Sequence, residues 1–401
     1  MRRAWNFHTA GQLTFGPGAV SQLGDLVRRR GATRVLLLTD ANLVAVGVAE
    51  TACRPLAAAG LTVDTFAEGQ AEPSLDVVQA AVEQARSFRP DAIVGLGGGS
   101  NMDVAKVAAA IYTHGGTARD FFGFDKIPGP ILPLVCVPTT VGTGSEVSHA
   151  AVLTDVSAKV KVSSLSNYLR PTLAVVDPEL TYPCPRQVTA DSGIDALTHA
   201  IEAYTAVDYQ ALALPAGDQL AYEGRFPLAD CLAERAMELI GQYLIRAVHD
   251  GRDHDARHGM ALAATLAGMA FSNAGVALVH ALEYPLGAAL HCSHGAGNGL
   301  LLPHVMRFNL PVRRAALARI AALLGAEVKG LSETQAAEQA VTAVARINQE
   351  IGIPARIRDL GGTAEQLPEF AEKAYAVARL RAVNPRPSTR EDLLGILQAA
   401  F

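Results

Sequence analysis

The chain has 401 residues, a hydrophobic share of 50%, a charged share of 18% and a formal net charge of −5. That length exceeds one ordinary core and predicts two domains, with three as the alternative, and the slight acidity excludes the basic field that nucleic acid or an anionic membrane surface requires. The five cysteines, Cys53, Cys136, Cys184, Cys231 and Cys292, are scattered with no CxxC pair, which argues against a disulfide scaffold or a zinc ribbon and for a reducing, cytoplasmic setting.

The first segment, "MRRAWNFHTAGQL", has two arginines but no long apolar stretch behind them, and no run approaches bilayer length, so neither a leader nor a membrane span is expected. From Thr33 to about Asp177 short β-branched runs alternate with amphipathic stretches. In order these are "RVLLLTD", a segment through Ala59, "LTVDTFA", a helix-like stretch from Leu75, "DAIVGLGGG", a helix from Met102, and "LPLVCVPTT". Strands spaced by helical patterns predict βαβ units and a parallel sheet covered on both faces. Beyond the Pro-rich "DPELTYPCP" the β-branched runs stop. Ala/Leu periodicity takes over in "LADCLAERAMELIGQYLIRAV", "HGMALAATLAGMAFSNA" and "RRAALARIAALLG". The expected domains are an α/β domain over residues 1–187 and an all-helical domain over residues 188–401. The aperiodic "DYQALALPAGDQLAYEGRFPL" predicts a long loop between helices.

Three places on the α/β half carry nucleotide chemistry. "IVGLGGGSNMDVAK", residues 93–106, runs from a strand through glycines into a helix, where close backbone approach and free N–H groups suit a pyrophosphate. Ser100 stands where the third glycine of GxGxxG would fall, so a simple tight turn is the competing reading. Asp40, at the end of "VLLLTD", is placed to meet ribose hydroxyls, and its charge would oppose a 2′-phosphate and favour NAD; a helix cap is the alternative. "VPTTVGTGSE", residues 137–146, offers a second strand end with hydroxyls and glycines.

In the helical half, Asp195 and His199 of "GIDALTHAIEAY" lie one helical turn apart, with Glu202 a further turn along. His280 of "NAGVALVHALEYPLG" and His294 of "HCSHGAGNG" would complete a set of one carboxylate and three imidazoles, able to hold one divalent ion with room for a substrate oxygen. His254 and His258 have the same spacing among Asp and Arg and read as solvated surface, and His291 and Cys292 are further competitors. Spacing alone leaves the ligand set and ordinary buried histidines both open.

Taken in order, "GGGSNMDVAK", "PTTVGTGSEV", "VVDPEL", "SGIDALTHAIEAY", "VHALEYPLG" and "SHGAGN" resemble the iron-containing (group III) alcohol dehydrogenases over nearly the whole chain. The resemblance implies a dehydroquinate synthase-like architecture with the active site in the cleft between an α/β and a helical domain. It implies NAD(P) as cofactor, NAD on the Asp40 argument, with Fe2+ or alternatively Zn2+ on Asp195, His199, His280 and His294. Gly97, Gly98, Gly99, Ser100 and Asp103 would serve the pyrophosphate, Thr139, Thr140 and Thr143 the second loop, and Lys161 and Leu180 the ribose and nicotinamide. Glu202 falls outside the ligand set, as an acid that supports a ligand or packs the helix. Tyr284 occupies a position where many members carry a second histidine for proton relay, and is the candidate catalytic residue, by hydrogen bonding to substrate or by packing beside a relay of water.

The expected activity is NAD-dependent interconversion of small, primary alcohols and aldehydes by a cytoplasmic homodimer, with no nucleic-acid or membrane partner. Tyr284 also suggests the alternative of a hydroxyacid-oxoacid transhydrogenase that keeps its nicotinamide bound. A dehydroquinate-synthase-like lyase would need a cluster of Lys and Arg for an acid phosphate, and none stands beside these motifs.

Overall fold

The computed structural model describes residues 2–157, 160–212 and 221–401. They form two compact units, His8–Cys184 and a helical unit of Pro185–Phe401 that the first residues, up to Phe7, join. In the helical unit Trp5 stacks on Phe226 at 4.5 Å between ring centroids, and Arg2 pairs with Glu223.

The first unit contains β1 (Leu13–Phe15), α1 (Leu23–Arg28), β2 (Arg34–Leu38), α2 (Ala41–Ala45), α3 (Val48–Ala58), β3 (Thr62–Phe66), α4 (Leu75–Phe88), β4 (Ala92–Gly97) and α5 (Gly99–His114). It continues with β5 (Gly123–Phe124), β6 (Leu134–Pro138), β7 (Ala150–Asp155), β8 (Val160–Leu165) and β9 (Leu173–Val176). Six strands form one sheet in the order β1-β9-β6-β4-β2-β3, every pairing parallel. The continuous apolar runs of β4, β6 and β9 are buried throughout, as strands covered on both faces must be. Alternation sorts their side chains: Leu36, Ile93, Leu134 and Cys136 pack with α4 and α5 on one face, and Val35, Leu37, Val94 and Val135 pack with α1 and α3 on the other. A smaller sheet, β5-β8-β7, pairs β7 and β8 in antiparallel fashion. That sheet and β1 are not among the elements expected from sequence.

The topology locates a ligand crevice. β2 connects to β3 on one side, whereas its neighbour β4 connects to β6 on the other. Successive connections therefore diverge at the carboxyl ends of β2 and β4, the switch point where open parallel sheets bind ligands. The loops leaving those two strands carry Asp40 and the Gly97–Ser100 turn.

The second unit contains α6 (Arg186–Thr205), α7 (Pro227–His249), α8 (His254–Ala274), α9 (Leu278–Leu290), α10 (His294–Leu323, kinked at Arg313), α11 (Glu333–Ile351), α12 (Leu367–Ala376), α13 (Ala378–Val383) and α14 (Arg390–Ala399). α6 is buried nearly all round, packed by α7, α8 and α10. Its C-terminal carbonyls would otherwise lack donors; Arg313 supplies them, reaching Thr205 O at 3.0 Å and Ala206 O at 2.7 Å. Of the expected long loop, residues 213–220 lie outside the described residues, and the flanking parts are joined by a bridge between Asp208 and Arg225. Among the described residues no single helix is long and apolar enough to cross a membrane.

Candidate active site

On the α/β unit, α5 begins at Gly99, three residues earlier than the sequence suggests, so the glycines run from the end of β4 through the N-cap into its first residue. Gly98 is the N-cap and no side chain caps the helix, which leaves backbone N–H groups of that turn available to an anion. A Cβ on Gly99 would stand 2.8 Å from Thr143 Cγ2, and one on Gly98 would meet Thr140 Oγ1 at 3.4 Å. Glycine is thus what lets the two loops approach, and Thr139 N–H donates to Gly97 O at 3.0 Å to join them. Gly97, at φ 142, has a backbone conformation side chains rarely adopt, and Asn101 Nδ2 fills the space beside it. This cradle fits a pyrophosphate.

Asp40 caps α2: its Oδ1 accepts from Asn42 N and Leu43 N, while Oδ2 accepts from Asn101 Nδ2 at 2.7 Å. Ser100 is half-buried in the first turn of α5. Asp103 turns inward, accepting from Ser145 Oγ at 2.7 Å and Val152 N at 2.9 Å. The fully buried Lys106 lies 3.9 Å from Asp103, and its Nζ donates to Ser145 Oγ, Ser148 Oγ and Ala150 O. Burial pushes Asp103 up and Lys106 down from their ordinary ranges, each opposed by the charge of the other. Lys161, on β8, pairs with Glu72 at 3.0 Å, and Leu180 is buried against the sheet.

In the helical unit, α6 presents Asp195 and His199, α9 presents His280 and Tyr284, and His294 opens α10. Close helix approach makes this meeting possible: a Cβ on Gly295 would lie 1.9 Å from Asp191 O, so α10 starts directly against the α6 backbone. Asp195 Oδ1 lies 3.7 Å from His199 Nε2 and 3.9 Å from Nε2 of both His280 and His294. Ligand atoms of Asp195, His280 and His294 all fall within 4.8 Å of one another. His199 stacks on His280 at 5.0 Å and on Phe271 at 4.1 Å. His254 is exposed, His258 is half-buried, and neither they nor His291 and Cys292 belong to the cluster found among the described residues.

Two buried carboxylates orient the imidazoles. Glu202 Oε2 accepts from His280 Nδ1 at 2.6 Å, and Glu283 Oε2 accepts from His294 Nδ1 at 2.5 Å. A carboxylate can only accept, so in both rings Nδ1 carries the hydrogen and Nε2 presents its lone pair toward Asp195. Burial lowers the His199 pKa to about 4, which leaves a neutral, ligand-competent ring, and its Nδ1 has no hydrogen-bond partner. Burial works against the charged form of Asp195, yet the positive charge the three rings carry whenever they are protonated, together with the Asn298 amide, draws its pKa below the ordinary carboxylate range.

Asp195 Oδ1 and the Nε2 atoms of His280 and His294 converge on Asn298 Nδ2, whose two hydrogens can serve at most two of the three. A buried group of inward-facing acceptors is what a divalent cation satisfies, so the residues fit a metal. Asp195, His280 and His294 have side-chain exposures of 4%, 3% and 35%, so the cluster opens beside His294, where Tyr284 stands at 6.3 Å between ring centroids.

Glu283 and Asn298 were not singled out from sequence. Both carried a signal: Glu283 lies three residues after His280 in an apolar helix, and Asn298 repeats after His294 the four-residue spacing of Asp195 and His199.

The family described as iron-containing alcohol dehydrogenase matches residues 10–178, and the C-terminal region of the Fe-containing alcohol dehydrogenase family matches residues 189–401. The NAD-dependent methanol dehydrogenase of Bacillus methanolicus is 37% identical, over 99% of this chain and 100% of that protein. The 1,3-propanediol dehydrogenase of Klebsiella pneumoniae is 36% identical, over 96% of both chains. A crystal structure of a 1,3-propanediol oxidoreductase superposes with a TM-score of 0.93 at 36% identity, covering both chains fully.

Proposed function

The chain belongs to the iron-containing alcohol dehydrogenase family, and from that premise we propose that it is an NAD-dependent, divalent-metal-dependent dehydrogenase interconverting small primary alcohols and aldehydes. The observation that carries the reading is the convergence of Asp195 Oδ1 with the Nε2 atoms of His280 and His294, both held in the ligand tautomer by Glu202 and Glu283, with His199 Nε2 3.7 Å from the same oxygen. Asp195, His199, His280 and His294 would hold Fe2+ or Zn2+. When bound, the ion supplies Lewis-acid polarisation of the substrate oxygen, and the nicotinamide supplies the hydride acceptor or donor.

The chain's own residues divide the remaining tasks. Residues 1–187 take the dinucleotide, with Gly97, Gly98, Gly99, Ser100 and Thr139, Thr140 and Thr143 around the pyrophosphate. Asp103 positions the second loop through Ser145, Asp40 disfavours a 2′-phosphate, and Lys161 and Leu180 flank the ribose and nicotinamide. Residues 188–401 hold the metal and substrate, and Tyr284 exchanges a proton with the substrate oxygen. The enzyme works in the cytoplasm, which five cysteines without a disulfide support, and as a homodimer, which light scattering on the purified chain tests.

The deciding experiment strips the purified protein of metal, resupplies Fe2+ or Zn2+, and follows NAD reduction across a panel of alcohols. Metal-dependent reduction with short primary alcohols is the expected result; none with any alcohol would overturn the reading. Turnover of 4-hydroxybutyrate with 2-oxoglutarate and no added NAD would replace it with the transhydrogenase.

A further inference from the structure

Asn298 is fully buried on α10, one turn beyond His294. Its Nδ2 donates to Asp195 Oδ1 at 2.8 Å and faces Nε2 of His280 at 3.3 Å and of His294 at 3.2 Å. One amide nitrogen thus touches three of the four atoms that would bind the ion. Its two hydrogens serve at most two of them. On the other side of the same group, Oδ1 is buried and accepts no hydrogen bond. Such an orphaned carbonyl is costly unless something at the site answers it.

The two ends of the amide respond oppositely to a cation among Asp195, His280 and His294. The hydrogens of Nδ2 are repelled, and the carbonyl dipole of Oδ1 is attracted, so a half-turn of the amide about its last rotatable bond reverses the interaction without moving the helix. That torsion is broad and two-fold for Asn, and no larger rearrangement is needed. Resting on the metal reading above, we propose that Asn298 is a metal-responsive positioning residue. Its Nδ2 tethers the acceptor cluster through Asp195, and its Oδ1 turns to face the ion when one is held. This gives the site an oxygen beyond the four side chains named from sequence, on its buried side.

The test compares metal-stripped wild type, N298A and the near-isosteric N298D. Zn2+ affinity is measured by competition with a chelator, and melting temperature is measured with and without Zn2+. N298A is expected to bind Zn2+ about tenfold more weakly and to melt below wild type without metal. N298D supplies oxygen at both positions but sets a second carboxylate against Asp195, so it is expected to melt lower without metal, bind Zn2+ more tightly and gain more from it than wild type does. If N298A binds Zn2+ as tightly as wild type or more tightly, Oδ1 does not answer the ion and the proposal falls. Should N298A fail to fold, N298D binding no more tightly than wild type has the same consequence. A wild type that binds no divalent ion overturns the metal reading itself, a distinct outcome.

Discussion

His280 Nδ1 donates to Glu202 Oε2 at 2.6 Å, and the same carboxylate closes the first turn of α9 by accepting from Ala277 N at 2.8 Å and Val279 N at 2.7 Å. Three donors share two oxygens, and only a carboxylate presents acceptors on both sides. In E202Q the amide nitrogen must face at least one of those N–H groups. The expected cost is about 1–3 kcal/mol of stability and about a 10–100-fold loss of metal affinity, with the ion still bound at saturation. H199A removes a proposed ligand and is expected to lose metal and activity together. Metal content and chelator competition on the two variants check this: H199A keeping the ion while E202Q loses it would invert the assignment.

Gly99 and Thr143 make a second prediction. An added Cβ would lie 2.8 Å from Thr143 Cγ2 and 3.0 Å from its Oγ1, so G99A must push the second loop away from the start of α5. Weaker NAD binding, by about tenfold or ~1.4 kcal/mol, is expected with metal content unchanged, and G99A/T143S should recover part of it by removing the methyl in the way. Titration of NADH fluorescence reads both. Unchanged affinity in G99A would separate this cradle from the nucleotide.

The sheet strands were legible where their neighbours bury both faces, because "VLLL", "AIVGLG" and "LVCVP" leave no other use for so much apolar surface. β1 was missed because three residues carry no period, and β8 because "VKVSSL" is polar enough to read as a loop. In the site, Asp195 and His199 announce themselves by spacing on one helix. His280 and His294 become partners only when Gly295 lets α10 lie on α6, a tertiary fact without a local signature. In the sequence Asp40 suits either a ribose contact or a helix cap, and in the structure it caps α2, with one carboxylate oxygen on the helix and the other on Asn101.

Asp103 belongs to a motif that resembles a pyrophosphate site, yet its oxygens are committed to Ser145, Val152 and the charge of Lys106. D103N would leave a buried ammonium without this carboxylate, a loss of about 3–5 kcal/mol when one partner of a buried pair is removed. The double variant D103N/K106M removes the orphaned charge and should be more stable than D103N alone, which a thermodynamic cycle from denaturant unfolding measures. Strictly additive losses would mean that the two side chains do not act as a pair.

Tyr284 stands one turn beyond His280, half-buried beside His294, and Arg379 makes side-chain hydrogen bonds to both Tyr284 and Tyr222. A guanidinium has donors only, so the Tyr284 oxygen is the acceptor in that contact, and its own proton must be given elsewhere. A hydroxyl arranged in this way can donate toward a substrate oxygen at the open side of the cluster. Y284F keeps the ring and its packing while removing that proton. If the proton is used in turnover, kcat should fall by about 100-fold while metal content and NAD affinity stay at wild-type values. A kcat within twofold of wild type, with only the melting temperature lowered, would assign Tyr284 to packing and leave the proton to water.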